Sequence, residues 1–289
     1  MAETATCCKC SRPAYFFEAA GPMYCGRHAP AVRERLPKPT KQAQAAKRMS
    51  QMTLHQPTVE AARHTDGTPG RITLQRMLMM RNPVLTPGSV MIFPNNRHGN
   101  LEYAAFDCCE LSPMRLGPVD HGQPGLPPAC NIENFHQGTK CFAEEVDASG
   151  NPSSVYVGNR LRFYLDSAPH RHKFIGKGKN KNIPLFFVWI AKDGTEHRLT
   201  YVESRQFYCT FMERLASARP EYRRLQEMLG QGYHIQICGY DAYPFDPIAD
   251  AETAYMDASK PFGHERVLAV MLANPPEQYP WRRHRTFEF

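Results

Sequence analysis

This 289-residue chain lacks several features that would settle its class at once. No apolar run approaches the ~20 residues that a membrane-crossing helix needs. The N-terminus has no signal-peptide stretch, because Cys7, Cys8, Lys9 and Cys10 interrupt it immediately. No Walker-type phosphate loop is present: Gly176-Lys177-Gly178-Lys179 is basic but lacks the spacing and the strand-to-helix setting. A nucleophile elbow, a zinc-protease helix and internal repeats are also missing. The expectation is a protein kept in a reducing compartment, cytoplasmic or nuclear, or carried in a virion. There, ten cysteines serve as metal ligands and small core residues rather than as disulfides.

What is present describes a globular, loop-rich chain. Hydrophobic residues make up 42%, enough for a sizeable core, and 25 prolines break the chain often. The net charge of +7 is a modest excess that suits phosphate-bearing partners. It gathers at Lys38–Arg48, at the loop 170–182 and at Arg282-Arg283-His284-Arg285. Such clusters solvate a surface as readily as they bind nucleic acid.

Residues 1–30 read as a small module of their own. Cys7-x-x-Cys10 is followed by Cys25-x-x-His28, and two close pairs of soft ligands suit one tetrahedral structural Zn²⁺. Cys8 rivals Cys7, but only Cys7 has the two-residue spacing to Cys10. Ala14–Ala19 and Met23-Tyr24 supply two short strands around a Gly21-Pro22 turn. Thirty residues have too little core to fold without such a staple. The alternative is a tail of free cysteines. Residues 31–65 read as a basic linker with a helix over Thr40–Met49, and 66–289 as the main domain.

Within that domain, Arg71–Met80 and Ser89–Phe93 look like strands or short helices, with Met77, Met79 and Met80 filling core. Asp107–Pro128 is irregular and leads into a helix capped by Asn131. Leu161–Leu165 reads as a short strand. Leu185–Ala191 and Glu196–Val202 form a hairpin around Asp193-Gly194. Ser204–Ala218 carries Phe207, Phe211 and Leu215 at helical spacing, and Pro220 opens a second helix ending near Gly230. Tyr233–Cys238 reads as a buried strand and His264–Leu272 as the last helix. Helices mixed with an antiparallel hairpin give an α+β class.

The chemistry concentrates in Asn131–Phe142, NIENFHQGTKCF. On a helix, Glu133, Gln137 and Lys140 point one way and Ile132, Phe135 and Phe142 roughly the other. A carboxylate, an amide and an ammonium on one face can line a polar pocket, although solvated helix faces carry the same residue types. Asp166, Asp241 and Glu265 are further carboxylates at element ends. Asp241 stands between Tyr240 and Tyr243, where it serves either a cleft or its own turn. His170-Arg171-His172 reads as an exposed basic stretch or, less simply, a metal-binding one.

Taken together, these residues resemble the NADAR (YbiA-like) N-glycosidases. Glu133-x₃-Gln137-x₂-Lys140 is similar to that family's helix. Leu111-Ser112 and Pro118-Val119 lie upstream as in the family, and Tyr240-Asp241-Ala242-Tyr243 matches its Tyr-Asp turn. Phe262-Gly263-His264-Glu265, running into Leu268 and Met271, is similar to its final glycine turn and helix. The resemblance spans roughly residues 100–275. Pro244-Phe245 replaces the usual Trp-Gly, and Ser112-Pro113-Met114 lacks the usual Asn-aromatic pair. In style the chain also resembles uncharacterised proteins of large DNA viruses.

The resemblance implies hydrolysis of an N-glycosidic bond in a ribosyl phosphate or an ADP-ribosyl group, some of these attached to a nucleic-acid base. Glu133 would stabilise the cationic ribosyl carbon or activate water, and Asp241 would be the second carboxylate. Gln137 would bond the sugar or base, Lys140 with Arg171 or Arg115 would face phosphate, and Tyr240 and Tyr243 would stack on the base. No metal takes part, so zinc would be structural. The competing expectation is a non-catalytic, zinc-containing nucleic-acid-binding or virion-associated protein, contacting phosphates through the loop 170–182 and the C-terminal tail.

Overall fold

The computed structural model describes residues 63–78, 84, 86–95, 107–172 and 183–289, together with three two-residue strands upstream. The chain divides into two compact units, Met1–Ser50 and Gln51–Phe289. In the first, β1 (Phe16–Phe17) pairs antiparallel with β2 (Met23–Tyr24), as the sequence suggested, and also with β3 (Glu34–Arg35). The third strand lies where a linker was expected. Cys7, Cys10, Cys25, His28 and the Thr40–Met49 segment fall outside the described residues.

The second unit is built around two three-stranded sheets. Strands β4 (Ile72–Arg76) and β5 (Ser89–Ile92) come first. Helix α1 (Ile132–Thr139) runs into β6 (Lys140–Cys141), and α2 spans Ser154–Leu165. The hairpin β7 (Phe186–Ile190) and β8 (Glu196–Leu199) precedes α3 (Tyr201–Ser217) and α4 (Pro220–Gly230). Strand β9 (His234–Gly239), α5 (Ala251–Met256), α6 (His264–Ala273) and α7 (Pro280–Arg283) complete the order. Helices and both kinds of strand pairing bear out an α+β class. Among the described residues, no helix is long and apolar enough to cross a membrane.

One sheet is parallel, with β9 between β4 and β5; Ile235 is in register with both Ile72 and Val90. Strands buried on both faces read as apolar runs, and β9 does. Ile235 and Ile237 join the main core, whereas Cys238 packs with Met77, Met91 and Phe93 on the other side. The buried Gln236 is satisfied within that second layer. Its amide donates to Gln75 Oε1 at 2.9 Å and Val84 O at 2.8 Å, and its oxygen accepts from Thr86 N at 2.6 Å. The chain leaves this sheet at Gly239, and the following turn sits at the carboxyl ends of the strands.

The other sheet is the expected hairpin extended by β6. Val202 belongs to α3 rather than to the hairpin. Thr200 caps that helix with a reciprocal pair of bonds to Glu203, which ends the strand three residues early.

Three other expectations need correction. Leu161–Leu165 is the end of α2, because Tyr156, Arg160, Phe163 and Tyr164 bury one helical stripe. Lys140 and Phe142 leave α1: Lys140 is its extended C-cap, and Thr139 Oγ1 bonds back to His136 O at 2.8 Å at the last turn. Finally, α6 is not the last helix. Pro280 starts α7, whose Trp281 is fully buried and donates to Glu213 at 2.7 Å.

Candidate functional site

Helix α1 begins as its sequence dictates. Asn131 is extended and its side chain accepts from Asn134 N at 2.8 Å. Phe135 then anchors the helix among Tyr164, Phe207, Phe211 and His121, with ring centroids 5.1 to 5.9 Å apart. The Glu133 backbone N–H donates to Pro113 O at 2.9 Å, tying the upstream Ser112–Leu116 turn to the helix.

On the polar side, three side chains form one row. Gln137 Nε2 donates to Glu133 Oε1 at 2.9 Å, and Lys140 Nζ donates to Gln137 Oε1 at 3.3 Å. The amide is oriented by both neighbours: its nitrogen faces the carboxylate and its oxygen faces the ammonium. Burial lowers the Lys140 pKa to about 8; the Glu133 charge opposes this shift and the Arg171 charge adds to it.

A loop is sewn across this row by residues that sequence reasoning passed over. Asn134 Nδ2 donates to the carbonyls of Asp166 and Ala168, each at 2.8 Å, and Asn134 Oδ1 accepts from His170 N at 2.8 Å. His172 Nε2 bonds Gln137 O at 2.8 Å, and burial lowers the His172 pKa to about 4, leaving a neutral ring that donates from Nε2. Between these two anchors, Arg171 Nε stands 3.6 Å from Glu133 Oε1, its side chain 76% exposed against 11% for the glutamate. No local signal marks Asn134 for this role; its full burial, which obliges an amide to find partners, shows only in the structure.

A second group forms at the carboxyl end of the parallel sheet. Met77 N donates to Gly239 O at 2.8 Å and Arg76 Nε to Tyr240 O at 3.3 Å, fixing the turn. Asp241 and Tyr240 are exposed there, above the buried carboxyl of Glu265, the second residue of α6, whose pKa is raised by burial and further by the Asp241 charge. A side chain at Gly239 would overlap that carboxyl. Tyr243 lies between two guanidiniums, with Arg76 4.2 Å and Arg266 5.7 Å from its ring centroid.

Tyr208 of α3 lies within electrostatic reach of both groups, and no local motif marks it. Its ring packs on His136 at 5.1 Å, and burial, together with the charges of Glu133, Glu265 and Asp241, raises its phenol well above the usual value. Three carboxylates from three separate elements thus act on one hydroxyl.

The remaining expected residues lie elsewhere. Arg115 forms an ion pair with Glu110 at 3.0 Å. Asp166 is a turn residue: Ala168 N–H, then the His170 ring, hold its carboxyl below the usual carboxylate range. In the C-terminal cluster, Arg282 pairs with Glu213, and Arg283 and His284 pair with Glu252. Among the described residues, no group of three or more histidines, cysteines or acids is placed to hold a metal ion. Compared with known protein families, curated proteins and solved structures, the chain shows no significant match to any of them.

Proposed function

We propose that this chain is an N-glycosidase that hydrolyses the bond between a ribosyl carbon and a base nitrogen, in a ribosyl phosphate or an ADP-ribosyl group. The observation that carries the reading is the continuous row Glu133–Gln137–Lys140, set on a buried helix. The resemblance of the same residues to the NADAR family supports it, including the YbiA-like fold it implies.

In this reaction, water adds to the anomeric carbon, the C–N bond breaks, and the base nitrogen gains the proton that water loses. Positive charge grows on the ribosyl carbon, and a nearly buried carboxylate is worth more against it than one in water. Glu133 fills that role, with Gln137 holding its orientation. Asp241, exposed on its turn, takes the water proton or bonds the ribose hydroxyls. Arg171 and Lys140 supply positive charge for phosphate beside the carboxylate. Tyr240 is half exposed and free to lie against a base, whereas Tyr243 is already held by Arg76 and Arg266. The zinc expected at Cys7, Cys10, Cys25 and His28 belongs in this proposal to the first unit and takes no part in the chemistry.

The test incubates full-length protein and a Glu133→Ala variant with guanosine-ADP-ribosylated DNA and with a ribosylamino-pyrimidine phosphate. Release of base or ADP-ribose by the wild type but not the variant supports the reading and names the substrate class. No release from either substrate overturns it in favour of a nucleic-acid-binding protein, whose affinity would fall steeply with salt.

A further inference from the structure

Helix α3 and the chain around the end of α7 border a polar cleft of about 450 Å³, lined by Thr210, Glu213, Arg214, Arg282 and Arg285. No residue of the glycosidase reading lines it. Three of its side chains are guanidiniums and one is a carboxylate.

That carboxylate is already committed. The Glu213 side chain is only 14% exposed; its Oε2 accepts from Trp281 Nε1 at 2.7 Å and its Oε1 from Arg282 Nε at 3.0 Å. One acid thus offsets one guanidinium. Other acids of the region are engaged elsewhere: Glu252 with Arg283 and His284, and Glu288 with Lys192 at 3.7 Å. Among the described residues, neither Arg214 nor Arg285 pairs with a side-chain carboxylate, so two positive charges stand uncompensated at the cleft.

Both guanidiniums are held in place. Arg285 Nη2 donates to Thr210 Oγ1 at 3.3 Å, and Thr210 is buried. Its guanidinium carbon lies 5.4 Å from the Phe289 ring centroid. Arg214 Nη2 donates to the main-chain oxygen of Phe289 at 3.3 Å, and its guanidinium carbon lies 5.3 Å from the Phe211 centroid. These two rings are themselves in contact, with centroids 5.9 Å apart. Two forks therefore lie over one aromatic pair, each fixed by a single hydrogen bond, and their other N–H groups have no partner among the described residues. Stacking sets the plane of each fork, so an oxyanion meets donors that are already oriented.

We propose that Arg214, Arg285 and Arg282 form a binding site for a diphosphate group carried on a small molecule. Each fork can hold one phosphate through paired N–H bonds. The cleft falls in the ~300–1,000 Å³ range of small-ligand sites, more room than one phosphate fills. A nucleic-acid strand fits less well, because it spreads single charges along its length while these donors converge on one point. The site is separate from the Glu133 row and does not rest on the glycosidase reading.

The experiment titrates full-length protein with inorganic pyrophosphate by calorimetry, at an ionic strength of about 0.15 M, where distant surface charges are screened. One-to-one saturable binding is expected. Arg285→Gln and Arg214→Gln should each weaken it about tenfold, the scale of one hydrogen bond to a charged group. Arg283→Gln removes the same charge from a residue paired with Glu252 outside the cleft, and should leave the affinity within about twofold. Equal weakening by all three means diffuse attraction and overturns the proposal, as does the absence of saturable binding.

Two further arms separate the rival locations and ligands. Loss of binding in Arg171→Gln but not in Arg285→Gln places the anion at the Glu133 row and overturns the cleft. A single-stranded oligonucleotide that displaces pyrophosphate at a lower phosphate concentration overturns the small-ligand assignment. In wild type, pyrophosphate should also slow phenylglyoxal modification of Arg285 but not of Arg283, read by mass spectrometry. Equal modification with and without pyrophosphate overturns the site whatever the stability of the variants.

Discussion

Gly263 and Asp241 approach so closely that a methyl group added to the glycine would stand 3.1 Å from the Asp241 Cβ. At Gly239 the constraint is harder, because the added atom would overlap the buried Glu265 carboxyl. Two glycines thus leave the room that the Asp241 turn and Glu265 share.

The first prediction grades these positions. Gly239→Ala should destabilise the protein by about 2 kcal/mol, within the range for overpacking a tight core, and Gly263→Ala by less than half as much. Urea unfolding measures both as a fall in midpoint at constant slope. Equal costs would mean that the carboxyl is not held against Gly239.

Lys140 yields a pH prediction with a definite sign. Its folded pKa, about 8, is below the ordinary lysine value of about 10.4. Between those values the unfolded chain binds more protons, so stability should rise as pH climbs from 8 toward 10 and be lowest below 8. Lys140→Met should remove that rise from a pH series of unfolding curves. The free amine should also make Lys140 react with an acylating probe at pH 8 faster than exposed lysines do.

The legible parts of this fold were those governed by local chemistry. Asn131 and Pro220 announced two helix starts, Asp193-Gly194 a hairpin, and the apolar run after Tyr233 a buried strand. The Leu161–Leu165 error came from a five-residue window too short to show that Tyr156 and Arg160 bury the same stripe. Within the site, the Glu133–Gln137–Lys140 row was readable because one short segment supplies it. Tyr208 and Asn134 were not, because what matters about them is long-range: Asn134 bonds residues 32 to 36 positions away. The parallel pairing of β9 with β4 is likewise set by packing and leaves no local signal.

Asn134 should behave as a structural lock on the Arg171 loop. Asn134→Ala leaves two carbonyls and one N–H of the loop without their partner. The expected cost is about 2–3 kcal/mol, at the scale of losing buried bonds. Limited proteolysis within residues 166–172 should accelerate in the variant. Unchanged cleavage there would show that His172 alone holds the loop.

The Thr200–Glu203 cap gives a smaller effect. Thr200→Ala should cost about 1 kcal/mol, as loss of a helix cap does. The Glu203 pKa is lowered, first by the Thr200 backbone N–H and then by its hydroxyl. Its contribution is therefore present above the ordinary carboxylate range and is lost as pH falls through the folded value. The deficit of Thr200→Ala measured by thermal unfolding should narrow toward pH 3.

Tyr208 tests whether the two halves of the site act as one. Tyr208→Phe keeps the ring that packs on His136 and removes only the hydroxyl on which Glu133, Glu265 and Asp241 act. Because that protonated hydroxyl makes no hydrogen bond among the described residues, its loss should change stability by no more than about 1 kcal/mol. If it binds the ribose or the water between the carboxylates, kcat/KM should fall about 10- to 150-fold, the scale of one hydrogen bond to a charged group. A double-mutant cycle with Glu133→Gln separates coupling from simple loss. Strong non-additivity would show that Tyr208 works through Glu133. Simple additivity would mean that the phenol serves the Asp241 side alone, and that the two carboxylate groups contribute to the barrier independently.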